Sequence, residues 1–450
     1  MKQPIFLPTI FLLIMCGSVL TSCNKFVDAG SPKSELTTDK VFADSTGAAA
    51  AVTGVYITLN ANSTGITLPA GLASDELSSS KQGAETEFFA NNIKPANALN
   101  ASLWTVVYQQ LYQANACIEG INGSGGLGTL QKERLSAEAR GIRAFLLFNL
   151  VNLYGPVPLV TMTDYQISRS LPRASADDVY RQILDDLRFA QSKLNKDAPD
   201  LRRFNYYAAT ALLARVYLYN KRYEEAASEA GKVIGSGRFT LMNEPKDVFL
   251  AGSKESIWRL VPVVGGRETW EASLFVPSSS GAVPPFVLSE GLLAGFTAND
   301  KRSSQWIAAN TVSGRPYAYP FKYKRVLSGG AVTENYTMLR LAEQYLIRSE
   351  ARANSGDARG AAEDLRVIQQ RANAQLYTGP AAGLPAAIAL ERRRELFCEF
   401  GHRWFDLKRT GEANAVLGNA KPGWKPTATL FPVPQPEVDA NSALTQNPGY

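Results

Sequence analysis

"FNYYAATALLARVYLYNKRYEEAASEAGKVI", residues 204–234, decides the fold. Apolar residues recur at helical spacing through its first half, alanine is abundant, and the run closes on Tyr219. A short turn follows, and "YEEA" opens a second amphipathic run. Small residues let two helices approach closely, while aromatic residues fill the spaces beside them. The stretch therefore predicts a packed helix pair.

Working outward, "TMLRLAEQYLIRSEARANSGDARGAAEDLRVIQQRA" (337–372) repeats the arrangement, with its second helix opening at "RGAAEDL". Four pairs are predicted: 47–60 with 101–122, 131–154 with 176–194, 205–219 with 221–235, and 337–354 with 358–373. "GSGGLG" (123–128) reads as a connector between helices rather than a phosphate loop. The packing resembles that of tetratricopeptide repeats, although long inserts separate the pairs and no regular 34-residue period runs through them. The fold class is mostly α: four tetratricopeptide-like helix pairs with long irregular inserts carrying short strands. An ordinary helical domain without true repeats is the alternative. The inserts, 61–100 and 236–336, are rich in Gly, Ser, Asn and Pro and hold β-prone runs such as "SIWRLVPVV" and "YAYPFKYKRV". Long ordered loops in a compact domain usually carry function, so ligand contacts are expected there.

Composition narrows the function classes. The chain has 450 residues, 45% of them hydrophobic, which is enough for a large core. Its net charge of +6 is spread without a long basic run, so no nucleic-acid partner is expected. Cysteines at 16, 23, 117 and 398 have no paired spacing, and His402 is the single histidine. No zinc site, disulfide framework or cofactor is expected from them.

The N-terminus reads as an address. "MKQPIFLPTIFLLIMCGSVLTSC" has an early lysine, an apolar stretch from Ile5 to Leu20, and small residues before Cys23. It resembles the lipobox of bacterial lipoproteins, in which the signal is cut before a cysteine that then carries acyl chains. Residues 1–22 are thus expected to be a signal peptide and Cys23 the lipidated residue, with 23–46 an extended tether. No later run is long and apolar enough for a membrane span.

"ERRRELFCEFGHRWFDLKRTG" (391–411) crowds five arginines and four acids around His402. Helical spacing offers the pairs Glu391–Arg394, Glu395–Arg392 and Glu399–Arg403, with Leu396, Phe397, Phe400 and Trp404 on a buried face. His402 follows Gly401 at a bend or helix end and is read as a satisfied structural residue, not a general base. The charges are read as scaffold, as are Arg140 and Arg143, which are spaced to pair across helices.

This stretch, together with "LWTVVYQQLYQANACIEGI" (103–121), "EARGIRAFLLFNLVNLYGPVPLV" (138–160), "LFPVPQPEVDANSALTQNPGY" (430–450) and "CNKFVDAGSPKSELTTDKVF" after the lipobox, resembles the SusD/RagB family of outer-membrane nutrient-binding lipoproteins. The blocks run through the whole chain in the family's order. The resemblance implies a helical N-terminal part over 47–235 and a C-terminal part over 236–450 carrying the ligand-binding insert, packed as one globular unit. It also implies a non-enzyme on the cell outer membrane, lipid-anchored and facing outward. Such a protein binds oligosaccharide and hands it to a SusC-like TonB-dependent transporter.

Family members often place glycan contacts in the loop before the "LWTVVY" helix and in the insert near 270–320. The expected contacts are Phe88, Phe89, Asn91 and Asn92 in "ETEFFANNIKP", with Trp270 and Tyr317 from the insert. Rings stack on sugar C–H faces and amides bond hydroxyls. Truncating Phe88, Phe89 and Trp270 together is expected to leave the fold intact. Two other readings stand beside this one: a binder of a non-glycan nutrient such as peptide, and a glycoside hydrolase. The latter needs two carboxylates about 5–10 Å apart across a cleft. Asp75 and Glu76 are adjacent and so aim apart. A pure protein–protein scaffold would leave the aromatic inserts unexplained.

Overall fold

The computed structural model describes residues 38–450, apart from 62–64, 81, 198, 264, 267, 328 and 422. The expected signal peptide, Cys23 and most of the expected tether lie outside the described residues. In chain order the principal elements begin with α1 (Ser45–Ala61), α2 (Thr67–Ala73), β1 (Leu77–Ser79), α3 (Ala84–Phe89), α4 (Ala98–Gly123) and α5 (Thr129–Tyr154). They continue with α6 (Ala176–Lys193), α7 (Tyr206–Tyr219), α8 (Tyr223–Gly235), β2 (Ser256–Leu260), α9 (Trp270–Phe275) and β3 (Phe286–Leu288). After them come β4 (Ile307–Val312), β5 (Arg315–Pro320), β6 (Tyr336–Arg340), α10 (Leu341–Asn354), α11 (Ala358–Arg371), α12 (Leu384–Leu396), α13 (His402–Arg409) and α14 (Ala413–Ala420). The chain is mostly helical, with strands confined to short antiparallel pairs.

The turns that close two of the helix pairs share one mechanism. At the end of α7, Lys221 takes a left-handed φ of 57°, Arg222 N donates to Tyr217 O at 2.8 Å, and Lys221 N donates to Leu218 O. At the end of α10, Gly356 does the same with φ 88°, and Asp357 N donates to Arg352 O at 2.9 Å. This double closure satisfies carbonyls that a helix end leaves orphaned. Asp357 then caps α11 by accepting from Gly360 N at 2.8 Å.

Packing follows from these turns. Helix α1 lies on α4, α5 on α6, α7 on α8, and α10 on α11, while α4–α5, α6–α7 and α8–α10 contacts join the pairs into one succession. Forked arginine–carboxylate pairs lock neighbours: Arg143 to Asp186 (2.7 and 2.7 Å) between α5 and α6, Arg215 to Glu343 (2.6 and 2.7 Å) between α7 and α10, and Arg348 to Asp364 between α10 and α11. One set of touching buried apolar residues runs from Phe42 to Leu444.

Three expectations need correction. Residues 337–340 belong to β6, which pairs antiparallel with β2, because the run "YTMLR" is buried at every position and its backbone bonds go to that partner. The last part of the expected tether is structured: residues 38–41 are helical, and Phe42 is buried against the core. The insert at 61–100 is not simply a surface excursion either. All seven residues of α2, "TLPAGLA", are buried, since small and apolar side chains fit between packed elements.

The 391–411 stretch is two helices and a bend. Helix α12 ends at Leu396, and Cys398, Phe400 and Gly401 all take left-handed φ (51°, 44° and 74°) before α13 begins. Two of the three are not glycine and cost about 1–2 kcal/mol each, so the surroundings must impose them. They do so from the N-terminal half: Phe400 N donates to Thr67 Oγ1 at 3.3 Å and Cys398 N to Glu76 Oε2 at 3.2 Å.

This bend redistributes the charges. Glu391 does meet Arg394 at 3.5 Å, but Glu395 and Glu399 leave their expected partners. Glu395 instead takes Arg302 (2.9 Å), Arg340 (2.6 Å) and Arg371; Glu399 takes Arg340 (2.8 Å) and Lys322 (2.5 Å). Arg392 turns to Asp406 at 2.8 Å. All of these but Arg394 and Asp406 are buried, so the crowd acts as an internal ionic scaffold.

Candidate ligand-binding site

Asp75 follows the end of α2 and accepts from Arg403 at 2.7 and 2.9 Å, while Arg393 lies 2.8 Å away. The two arginines come from α13 and α12, on either side of the bend. Burial alone would raise the Asp75 pKa; the Arg403 hydrogen bonds and charge, with Arg393, outweigh it and hold the carboxylate below its usual range. The next residue points inward. Glu76 is fully buried, and burial pushes its pKa up to about 7.

Asp75 and Arg393 form one wall of a cavity of ≈ 530 Å³. Strands β1 and β3, paired with Leu77 opposite Leu288 and Ser79 opposite Phe286, form its floor. Phe89 closes one side from the last turn of α3, Lys421 another from just after α14, and Arg315 a third from the start of β5. The β4–β5 hairpin that carries Arg315 turns through Ser313 and Gly314, both with positive φ (52° and 77°), which matches the twist of a tight hairpin. Asn310 fixes the hairpin by donating to Ser279 O and Ala282 O.

The expected contacts divide sharply. Phe89 lines the cavity and keeps 38% of its surface exposed, and Lys421 Nζ sits 4.0 Å from its ring centroid. Tyr317 does not line the cavity; it lies two residues along β5 from Arg315, whose guanidinium stands 5.2 Å from the Tyr317 ring. Phe88 is corrected: it is fully buried, edge-on to Phe431 at 5.2 Å, and offers no face to a ligand. Asn91 is corrected too. It is the left-handed residue closing α3 (φ 53°), with Asn92 N bonded to Glu87 O, and its amide donates to Ala73 O at 2.9 Å. Asn92 is exposed but does not line the cavity, and Trp270, 37% exposed at the start of α9, does not line it either.

Sequence reasoning missed Arg315, Lys421 and Arg393 as cavity residues. Arg393 was visible only as one charge in a crowd, and nothing near Lys421 in the chain marks it. Its ammonium donates to Leu72 O at 2.9 Å, and burial pushes its pKa down to about 8. His402 is buried with its pKa lowered to about 4, mainly by burial, which removes it as a base near neutrality. It is not fully satisfied, since Nδ1 has no hydrogen-bond partner.

A larger cavity of ≈ 670 Å³ lies beside α12 and α13, but most of its charged lining groups are already paired: Arg409 with Glu350 at 2.5 Å and with Asp406 at 2.8 Å, Arg392 with Asp406, and Arg403 with Asp75. The cavity at Phe89 combines a stacking ring with polar groups that keep bonding capacity. Among the described residues no group of metal-ligating side chains is found, and no helix is long and apolar enough to cross a membrane.

Comparison with known proteins follows the same lines. Residues 25–218 match a family model described as "Starch-binding associating with outer membrane", and residues 301–450 match the SusD family. SusD-like protein P38 of Formosa agariphila is 25% identical over 98% of both chains. A SusD superfamily protein from Bacteroides vulgatus superposes with a TM-score of 0.81 at 21% identity, covering 91% of this chain and 100% of that one. Surface glycan-binding protein A from Bacteroides fluxus gives 0.77 at 24% identity, over 91% and 100%. With helical blocks, strand pairs and both sequence matches in the same order along the chain, this protein belongs to the SusD/RagB family.

Proposed function

We propose that this protein is a glycan-binding lipoprotein of the outer membrane, and that it holds an oligosaccharide in the ≈ 530 Å³ cavity walled by Phe89, Asp75 and Arg393. The observation that carries the reading is Phe89, an exposed ring in a cleft that sets charged groups beside apolar ones such as Leu77, Val287 and Val416. A sugar offers its C–H face to such a ring and its hydroxyls to charged and amide groups around it. Family membership and the glycan-binding relative support the ligand class. Anchored through Cys23, the protein passes its ligand to a SusC-like TonB-dependent transporter; a tether raises the effective concentration of the two partners, so a modest contact suffices.

Binding rather than hydrolysis is favoured by Asp75, the less exposed of the two carboxylates that line the cleft. Two arginines hold it ionised, which unfits it as a general acid. The test is titration calorimetry of the soluble form lacking residues 1–23 against a panel of oligosaccharides, with product analysis of each mixture. Heat from a glycan, lost in Phe89→Ala, is the expected result. Binding of peptides alone would point to the non-glycan nutrient, and shortened sugars would point to the hydrolase.

A further inference from the structure

The cavity at Phe89 has an uneven charge balance. Three cations line it, Arg315, Arg393 and Lys421, against two carboxylates, Asp75 and Glu290. Asp75 is already shared: Arg393 lies 2.8 Å from Oδ2, and Arg403, from behind the wall, donates to both oxygens. Glu290 is exposed to solvent. That leaves Lys421 and Arg315, neither of which makes an ion pair with any described carboxylate. In the neighbouring cavity the corresponding cations, Arg392 and Arg409, each hold a carboxylate within 3 Å.

Lys421 is the telling residue. Only 3% of it is exposed, so its ammonium has given up most of its water. In exchange it has one carbonyl, Leu72 O, and the face of Phe89. A buried cation compensated by one neutral acceptor and a ring keeps unused donors and an unbalanced charge. Its ammonium covers one face of the ring, 4.0 Å from the centroid, so a sugar would stack on the other, exposed side. A negatively charged group elsewhere on the same oligosaccharide, passing the rim of the ring, would then reach the ammonium. Arg315 adds a second cation from the hairpin, planar and able to bind two oxygens at once.

Resting on the glycan-binding reading above, we infer that this cleft takes an acidic oligosaccharide, in which a carboxylate or sulfate group is held by Lys421 and Arg315 while a sugar ring of the same chain stacks on the exposed side of Phe89. The two anions share the chemistry of a compact oxyanion, and the cations serve both. Burial lowers the Lys421 pKa and the Asp75 charge offsets this only in part, as fits a cation with no carboxylate in direct contact.

The experiment uses the soluble form lacking residues 1–23 and four probes: oligogalacturonate for carboxylate, a sulfated galactan oligosaccharide for sulfate, and neutral malto- and laminari-oligosaccharides. Expected are binding of at least one acidic probe, weakening as NaCl is raised from 50 to 500 mM, and a loss of about tenfold in Lys421→Met and in Arg315→Gln. Arg315 is exposed, so its variant stays folded even if removing the Lys421 charge perturbs the core. Heat from either acidic probe that both variants abolish supports the inference and tells which oxyanion is held. Binding of a neutral probe that Phe89→Ala abolishes and the two cation variants leave unchanged would overturn it while leaving the glycan-binding reading standing. No heat with any of the four probes, nor with a wider glycan panel, would overturn both.

Discussion

Glu76 Oε2 accepts a hydrogen bond from Cys398 N at 3.2 Å, joining residues more than three hundred positions apart at the bend between α12 and α13. Glu76 is fully buried, and burial raises its pKa from 4.5 to about 7, only partly offset by the Cys398 bond. Glu271, which bonds Thr67 and Tyr336 in the same region, is likewise raised to about 7, chiefly by burial. A raised pKa means that the native state binds more protons than the unfolded chain between about 4.5 and 7. Stability from these groups is therefore full below about 4.5 and is lost as pH climbs through 7. His402 acts in the opposite sense below 6.5, its pKa being lowered to about 4, so whole-protein curves mix the two effects. Comparison with Glu76→Gln separates them. The variant is expected to gain about 2 kcal/mol on wild type at pH 8 relative to pH 5, read from urea unfolding at both pH values. Parallel wild-type and variant curves would show that Glu76 does not titrate there.

Gly401 has φ 74°, and a Cβ built on it would sit 2.8 Å from the Ala70 Cβ of α2. Gly401→Ala thus meets both left-handed strain and a clash with a fully buried helix. The expected cost is about 2–4 kcal/mol, seen as a lower melting temperature, with overpacking the larger part. Gly235→Ala is the control, since nothing lies within 4 Å of the added carbon and the residue is helical. It should leave the melt unchanged or slightly raised.

Glu395 is the shared acceptor for Arg302, Arg340 and Arg371, all buried, and these cations hold its pKa far below the usual range against the opposing effect of burial. Glu395→Gln removes the charge but keeps the volume. The arginines then stand in the core with one compensating charge fewer, so a loss of about 3–5 kcal/mol is expected in chemical denaturation. A change under 1 kcal/mol would mean that the remaining acids, Glu391, Glu399 and Glu255, suffice.

The helices were legible because alternating large and small apolar residues repeat at helical spacing, and the turns because Tyr219–Arg222 and Asn354–Asp357 break that spacing briefly. Pairwise contacts were legible for the same reason. The bend at 397–401 was not: its left-handed Cys398 and Phe400 are imposed by Thr67 and Glu76, which no local pattern links to them. The ionic partners went astray with it, because i+4 spacing assumes that the helix continues. At the candidate site, "EFFANN" holds one ring that lines the cavity and one that does not, because neighbouring rings on a helix face different ways. Phe88 went to the core and Phe89 to the cleft. Lys421 and Arg315 carry no signal in sequence, since each gains meaning only from the ring or cavity beside it.

Cys23 is expected to carry the lipid anchor. Each methylene buried in the membrane contributes about 0.8 kcal/mol, so a multiply acylated cysteine holds the protein to the membrane fraction. Cys23→Ala should abolish acyl labelling, block the cut before residue 23 and release the chain from washed membranes. A variant still labelled and still membrane-bound would place the anchor elsewhere. Protease treatment of intact cells reports the orientation, with digestion expected for a protein facing outward.

Phe88 and Phe89 are adjacent, yet their truncations should separate stability from binding. The Phe88 ring is fully buried and packs edge-on against Phe431, 5.2 Å between centroids. Removing it leaves a cavity in the core, so Phe88→Ala is expected to cost about 3–5 kcal/mol, whether ligand is present or not. This overturns the expectation that a variant lacking both rings and Trp270 keeps its fold unharmed. Phe89 is 38% exposed, and the Lys421 ammonium lies over its ring. Phe89→Ala should lower stability by about 1 kcal/mol or less, since the lost area is partly open to water and the cation–π contact is worth about that much. Its effect on binding should be larger, because a ring that anchors a ligand at the centre of a site contributes about 2 kcal/mol or more. Circular dichroism melts and calorimetry on the two single variants make the comparison. A Phe89→Ala protein that binds the ligand as tightly as wild type would remove the cavity from the function, whatever Phe88→Ala does to the fold.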